Sequence, residues 1–224
     1  KKEDDKSSKN TIVYVLPNGA LWEEHLEKLK LLQKLTGATI LCYNYRQVGK
    51  STGPFISQEA AVDDTIAIVR SLLQQGIYPF IHGYSLGGGV GMQVVARLQQ
   101  EGITLNHCNE RSFSSILQVV ASHAPWFIAD LVTLILKWAH WTLESDVALS
   151  SLHGKVLIMS HKADSVIRFS AQLKRAAENQ NPSTANVHYI DMSEEQGDGN
   201  AHCRSWFHDE ENRYRDLVKD TIFV

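Results

Sequence analysis

Ile77-Tyr78-Pro79-Phe80-Ile81-His82-Gly83-Tyr84-Ser85-Leu86-Gly87-Gly88-Gly89-Val90 is the stretch of this sequence that decides the fold. Residues 77–82 are largely apolar and read as a buried strand. The residues after Ser85 open a helix with Val90, Val94 and Leu98 on one stripe, stopping at Gly102. Between strand and helix, Gly83-x-Ser85-x-Gly87 marks an elbow. A strained serine there exposes its Oγ, and small flanking residues let the backbone turn so tightly. Ser85 is therefore the candidate nucleophile. The five-residue pattern alone recurs by chance, and the competing reading is a glycine-rich turn with an incidental serine. The strand before it and the helix after it favour the nucleophile.

On either side of the elbow, short β-like runs alternate with amphipathic helices, the pattern of a parallel sheet with helical crossovers. Residues 11–16 are β-branched and apolar, a buried strand. A helix comes next, with Trp22, Leu26, Leu29 and Leu32 on one stripe and Gly37 past its end. Residues 39–45 form the next strand. Val62, Ile66, Val69 and Leu73 mark a second helix, closed by Gly76. Residues 105–108 are a weak strand, 155–160 and 187–191 better ones, and the last helix is expected over 204–218. These make one domain over 11–224, with a mostly parallel sheet of about six strands and helices on both faces.

Residues 114–152 form a long helical stretch centred on Pro125-Trp126-Phe127-Ile128-Ala129-Asp130-Leu131-Val132. Its apolar residues cover more than one helix face. One reading is a buried packing helix; the other is a cap whose inner face, with Trp126 and Phe127, lines an acyl or aromatic pocket. Asp130, Lys137 and His140 interrupt the run 124–141, so it is not a spanning helix of about 20 uncharged residues.

A nucleophilic serine needs a base, and the base an orienting acid; after such an elbow the acid precedes the base. Asp164 lies on the loop after the strand 155–160, at the carboxyl end of a parallel strand, where open α/β sheets place their sites. His202 comes after the last strand in Gly197-Asp198-Gly199-Asn200-Ala201-His202. Asp164 and His202 are the expected acid and base. His161, His188 and His208 compete for the base, but fall at or within a strand or inside the last helix. Asp191 and Asp198 compete for the acid, but both come after the strand leading to His202. The oxyanion donors are expected to be the backbone N–H groups of Leu86 and of Ala20, in the loop Leu16-Pro17-Asn18-Gly19-Ala20.

The totals exclude several classes. The chain has 224 residues, 43% hydrophobic and 21% charged, with a formal net charge of -3. That gives no basic field for nucleic acid. Cys42, Cys108 and Cys203 have no CxxC spacing and form no disulfide framework, which fits a reducing, cytoplasmic compartment. No secretory signal is read at the start; residues 1–10 are polar and read as a linker or tether. Gly49-Lys50-Ser51-Thr52 looks like the end of a phosphate-binding loop, but Asn44 stands where that motif needs glycine. The ten histidines show no metal-ligand spacing, so neither metal nor cofactor is expected.

These residues resemble the α/β-hydrolase superfamily of serine esterases, lipases, thioesterases and peptidases. Asn44-Tyr45-Arg46-Gln47-Val48-Gly49-Lys50-Ser51-Thr52-Gly53 is similar to that superfamily's Tyr-Arg-Gly-x-Gly-x-Ser-x-Gly turn, with Gln47 where glycine is usual. The sheet begins about two strands later than the superfamily plan, so the resemblance implies a fragment or a smaller sheet. Asn18-Gly19-Ala20, Arg111-Ser112-Phe113-Ser114-Ser115 and the elbow are most similar to a bacterial subgroup of SidB-like Legionella effectors and related chlamydial proteins. The resemblance implies a serine hydrolase acting on an ester or thioester of a small or lipid-like acyl or aromatic substrate. Its alternatives are amide cleavage or protein deacylation by the same triad, and a catalytically weak, host-directed interaction protein delivered into host cytosol. Peripheral membrane contact through the cap belongs with the lipid-like substrate.

Overall fold

In the computed structural model, residues 10–54, 57–180, 186–194 and 200–223 are described. The expected tether at the N-terminus lies almost wholly outside them. Six strands form one sheet: β1 (Thr11–Val15), β2 (Thr39–Cys42), β3 (Phe80–Tyr84), β4 (His107–Glu110), β5 (Val156–Ser160) and β6 (Val187–Asp191). Their order is β2-β1-β3-β4-β5-β6, and every pairing is parallel. Parallel neighbours need long crossovers, supplied here by helices that bury both faces of the central strands. Hence β1, β3, β4 and β5 are buried along their whole lengths, while the edge strand β2 is mostly half-exposed.

The order fixes where a site can form. The chain leaves β1 to build β2 on one side, then returns to build β3 on the other. Loops after β1 and β3 therefore diverge, opening a crevice at the carboxyl ends of those two strands. The crossovers are α1 (Leu26–Thr36), preceded by a 3-10 turn Trp22–His25, α2 (Gln58–Leu73) and α3 (Leu86–Gln100). Beyond β4 come α4 (Ile116–His123), α5 (Trp126–Trp138) and α6 (Ser145–Leu149). Then α7 (Leu173–Gln180) leads to β6, and α8 (His208–Leu217) runs into a π-turn Val218–Ile222.

Four expectations are corrected. The third strand is Phe80–Tyr84, later than residues 77–82, so it reaches the serine directly. Pro79 has no N–H to offer a ladder, which favours a start beyond it. The fourth strand is His107–Glu110, later than 105–108; its side chains are polar, and apolar patterning alone missed it. The last helix starts at His208, because the Glu210 carboxylate binds the Arg204 side chain and the Phe207 N–H and so holds 204–207 outside it. The stretch 114–152 is not one buried packing helix: on α5, Leu131 is 60% exposed, Leu134 65% and Trp138 83%, whereas Ala148 and Leu149 of α6 are buried in the core. Among the described residues no helix is long and apolar enough to cross a membrane.

Candidate active site

At the end of β3 the backbone turns at Ser85 with φ 52° and ψ −117°. A non-glycine residue is strained there, at a cost of about 1–3 kcal/mol. The flanking glycines are required by close approach. A Cβ on Gly83 would lie 2.1 Å from the carbonyl oxygen of Gly87, and one on Gly87 would lie 2.0 Å from that of Val15. The elbow thus sits directly on the end of β1. The Ser85 N–H donates to the Glu110 carbonyl at 2.9 Å, tying the turn to β4 as well.

His202 faces the serine. Its Nε2 is 3.0 Å from Ser85 Oγ, and its Nδ1 is 2.7 Å from Asp164 Oδ2. An ionised carboxylate only accepts, so Nδ1 carries the proton and Nε2 is free to accept from the serine hydroxyl. Asp164 is fixed through its other oxygen, which accepts from the N–H groups of Val166 at 2.9 Å and Ile167 at 2.8 Å. All three side chains are buried. Leu86 is the first residue of α3, and an N–H at that position has no acceptor within the helix. Ala20 lies half-buried in the loop leaving β1.

The loop carrying His202 is held from below. Tyr84 Oη donates to the His202 carbonyl at 2.5 Å, and the Arg111 guanidinium donates to the carbonyls of Ala201 at 3.2 Å and Arg204 at 2.7 Å. Arg111 is itself anchored on Glu110 at 2.7 Å. Fully buried Glu110 also accepts from Lys28 at 3.0 Å, Trp206 at 2.7 Å and His82 at 2.8 Å. Burial alone would push the Glu110 carboxyl up, but Lys28 and Arg111 beside it hold it well below the usual carboxylate range. Burial pulls the Lys28 ammonium down to about 8 against the pull of Glu110. Arg204 forms a two-pronged pair with Glu210 at 2.9 and 2.5 Å, which keeps residues 204–207 out of α8.

Sequence reasoning missed this second layer. The signal was available at Glu110: a carboxylate in a strand between apolar strands is buried at a high cost unless cations or donors pair with it. The rival candidates sit elsewhere. His161 is buried after β5, accepting from the Ala163 N–H at 3.1 Å. His188 lies within β6, and His208 is exposed beside Glu211. Asp191 pairs with Lys174. Asp198 lies outside the described residues, as do the side chains of Trp126 and Phe127, although both belong to α5. Gln47 adopts φ 59°, in the left-handed region that favours glycine. Among the described residues no group of three or more His, Cys, Asp or Glu could hold a metal ion.

A family model described as Chlamydia CHLPS protein (DUF818) matches residues 10–180. No curated protein matches the sequence. Among solved structures, an esterase from Pyrococcus furiosus superposes with a TM-score of 0.72 at 15% identity, over 95% of this chain and 82% of that one. Est1E from Butyrivibrio proteoclasticus, with ferulic acid bound, gives 0.68 at 14% identity, over 97% and 90%. An alpha-beta hydrolase from Vibrio vulnificus gives 0.64 at 19%, over 95% and 72%. At these identities the likeness shows a shared α/β-hydrolase fold.

Proposed function

Because the chain belongs to the family described as Chlamydia CHLPS protein (DUF818) and has the α/β-hydrolase fold, we propose that it is a serine hydrolase cleaving an ester or thioester through an acyl-enzyme. The observation that carries this reading is the hydrogen-bonded chain from Ser85 Oγ through His202 to Asp164, at 3.0 and 2.7 Å.

Ser85 Oγ attacks the substrate carbonyl carbon while His202 Nε2 takes its proton, and Asp164 steadies the imidazolium that forms. The carbonyl oxygen becomes an oxyanion, held by the N–H groups of Leu86 and Ala20. The intermediate collapses, expelling an alcohol or thiol that receives the proton from His202. A water then attacks the acyl-enzyme with His202 again as base, releasing the acid and restoring Ser85. The buried anchor of Asp164 and the grip on the His202 loop hold these groups before substrate arrives, which is what preorganised catalysis needs. The exposed apolar row of α5, Leu131, Leu134 and Trp138, suits an acyl or aromatic substrate and contact with a lipid-like surface.

Hydrolysis of p-nitrophenyl esters of graded chain length tests this reading. Turnover that peaks beyond acetyl and vanishes in Ser85→Ala is expected. A preference for acetyl over every longer chain would remove the acyl-pocket part, and equal turnover by Ser85→Ala the whole.

A further inference from the structure

Asn200 is exposed, and it belongs neither to the Ser85–His202–Asp164 chain nor to the cluster around Glu110. It nevertheless accepts from three successive N–H groups of the turn that carries the base. Its Oδ1 accepts from the His202 N–H at 3.0 Å, and its carbonyl from those of Cys203 at 2.8 Å and Arg204 at 3.0 Å. A backbone N–H only donates, so the contact with His202 fixes which amide atom is the oxygen. Asparagine suits the place because its short side chain reaches an N–H two residues on. Tyr84 and Arg111 hold the carbonyls of this segment, and Asn200 collects its N–H groups.

The same Oδ1 reaches the loop of the acid, where it accepts from Ser165 Oγ at 3.3 Å. That loop is a firm anchor. The Gln172 side-chain amide donates to the carbonyls of His161 at 2.8 Å and Ile167 at 2.9 Å. From α4, His123 Nε2 donates to the Ser165 carbonyl at 3.1 Å. The backbone of the base and the residue next to the acid therefore share one acceptor, which joins the two loops alongside the His202–Asp164 contact itself.

We propose that Asn200 is a positioning residue, which sets the His202 turn against the acid loop and so aims the imidazole at Ser85. Its effect lies in geometry rather than in bond strength, since a misplacement of about 1 Å at a reacting group can cost about a hundredfold in rate. The kinetic part rests on the hydrolase reading; the effect on the His202–Asp164 bond is measurable without turnover.

Asn200→Ala, Asn200→Gln and Asn200→Asp are assayed on p-nitrophenyl acetate, on the alkaline plateau where the imidazole of each variant is neutral. The low-field proton NMR signal of His202 Nδ1–H is recorded for each as well. Asn200→Ala is expected to lower kcat about fivefold, as for one lost hydrogen bond, with KM within about twofold of the parent. Asn200→Gln keeps the amide but moves it outward by a methylene; the same loss is expected, and it decides should Asn200→Ala not fold. Asn200→Asp keeps the acceptor, and its kcat is expected within about twofold of the parent. The Nδ1–H signal should stay sharp in the parent and in Asn200→Asp and broaden in the other two. A parent-like kcat in Asn200→Ala and Asn200→Gln, a rise in KM alone, or an Asn200→Asp chain as slow as Asn200→Ala overturns the proposal. Without turnover by the parent the hydrolase reading fails, and the signal alone decides. Absent from the parent, or equally sharp in Asn200→Ala and Asn200→Gln, it overturns the positioning role too; broadened in them, it leaves that role standing.

Discussion

The hydroxyl of Tyr84 donates a 2.5 Å hydrogen bond to the carbonyl of His202, and the two rings lie 5.5 Å apart. The residue before the strained serine therefore also holds the residue that faces it. Tyr84→Phe keeps the ring and loses the bond. It is expected to cost about 1 kcal/mol of stability and to lower kcat about tenfold with little change in KM, because it loosens placement rather than binding. A kcat equal to the parent's would show that the bond does not position His202.

Strain at Ser85 gives a test in which stability and activity move in opposite directions. Glycine adopts φ 52°, ψ −117° without penalty, so Ser85→Gly is expected to raise unfolding free energy by about 1–2 kcal/mol in urea titration. Gly87→Ala should do the reverse. Its Cβ would meet the backbone of Val15 at 2.0 Å, and no folded protein is expected. A stable Gly87→Ala chain would contradict the geometry of the elbow.

Glu110 binds one buried cluster together. Glu110→Gln leaves Lys28 and Arg111 facing a neutral amide, and breaking a buried ion pair from one side costs about 3–5 kcal/mol. Since Arg111 holds the His202 loop, any folded Glu110→Gln protein is also expected to lose turnover. A loss under about 1 kcal/mol, the range of a surface pair, would mean the cluster contributes little.

His107 supplies a pH dependence. Burial pulls its imidazole down to about 3, while its Nδ1–H donates to the Ile81 carbonyl at 3.1 Å. The folded state keeps it neutral where the unfolded state, titrating near 6.5, takes up a proton. Its contribution is therefore full above about pH 6.5 and lost as pH falls toward 3, by up to about 1.4 kcal/mol per pH unit. His107→Asn should flatten stability measured between pH 6 and 4 relative to the parent. An identical slope would assign the acid sensitivity to other groups.

Where the sequence could be read and where it could not depends on how each feature is encoded. The elbow is local: an apolar run, three small residues and an amphipathic run lie within one short stretch around Ser85. Asp164 and His202 are distant, yet chain order and loop position name them, and the structure brings both within hydrogen-bond distance of their partners. The parallel sheet was legible because strands buried on both faces are apolar along most of their length, as in β1 and β5. Where a strand is buried but polar, as at His107–Glu110, the same rule misplaces it by two residues. Pairing of Glu110 with Lys28, 82 positions away, leaves no periodic trace. The α5 pattern failed for the opposite reason. A helix apolar on more than one side looks the same whether it is enclosed or, like Leu134 and Trp138 here, turned to solvent.

Activation of Ser85 by His202 makes the serine reactive toward an electrophile that mimics the transition state of acyl transfer. The decisive experiment incubates the folded chain with a fluorophosphonate and locates the adduct by peptide mass spectrometry. One phosphonyl group on Ser85 is expected, absent in Ser85→Ala and formed far more slowly in His202→Ala. No adduct on the folded chain, or an adduct on another residue, would contradict it.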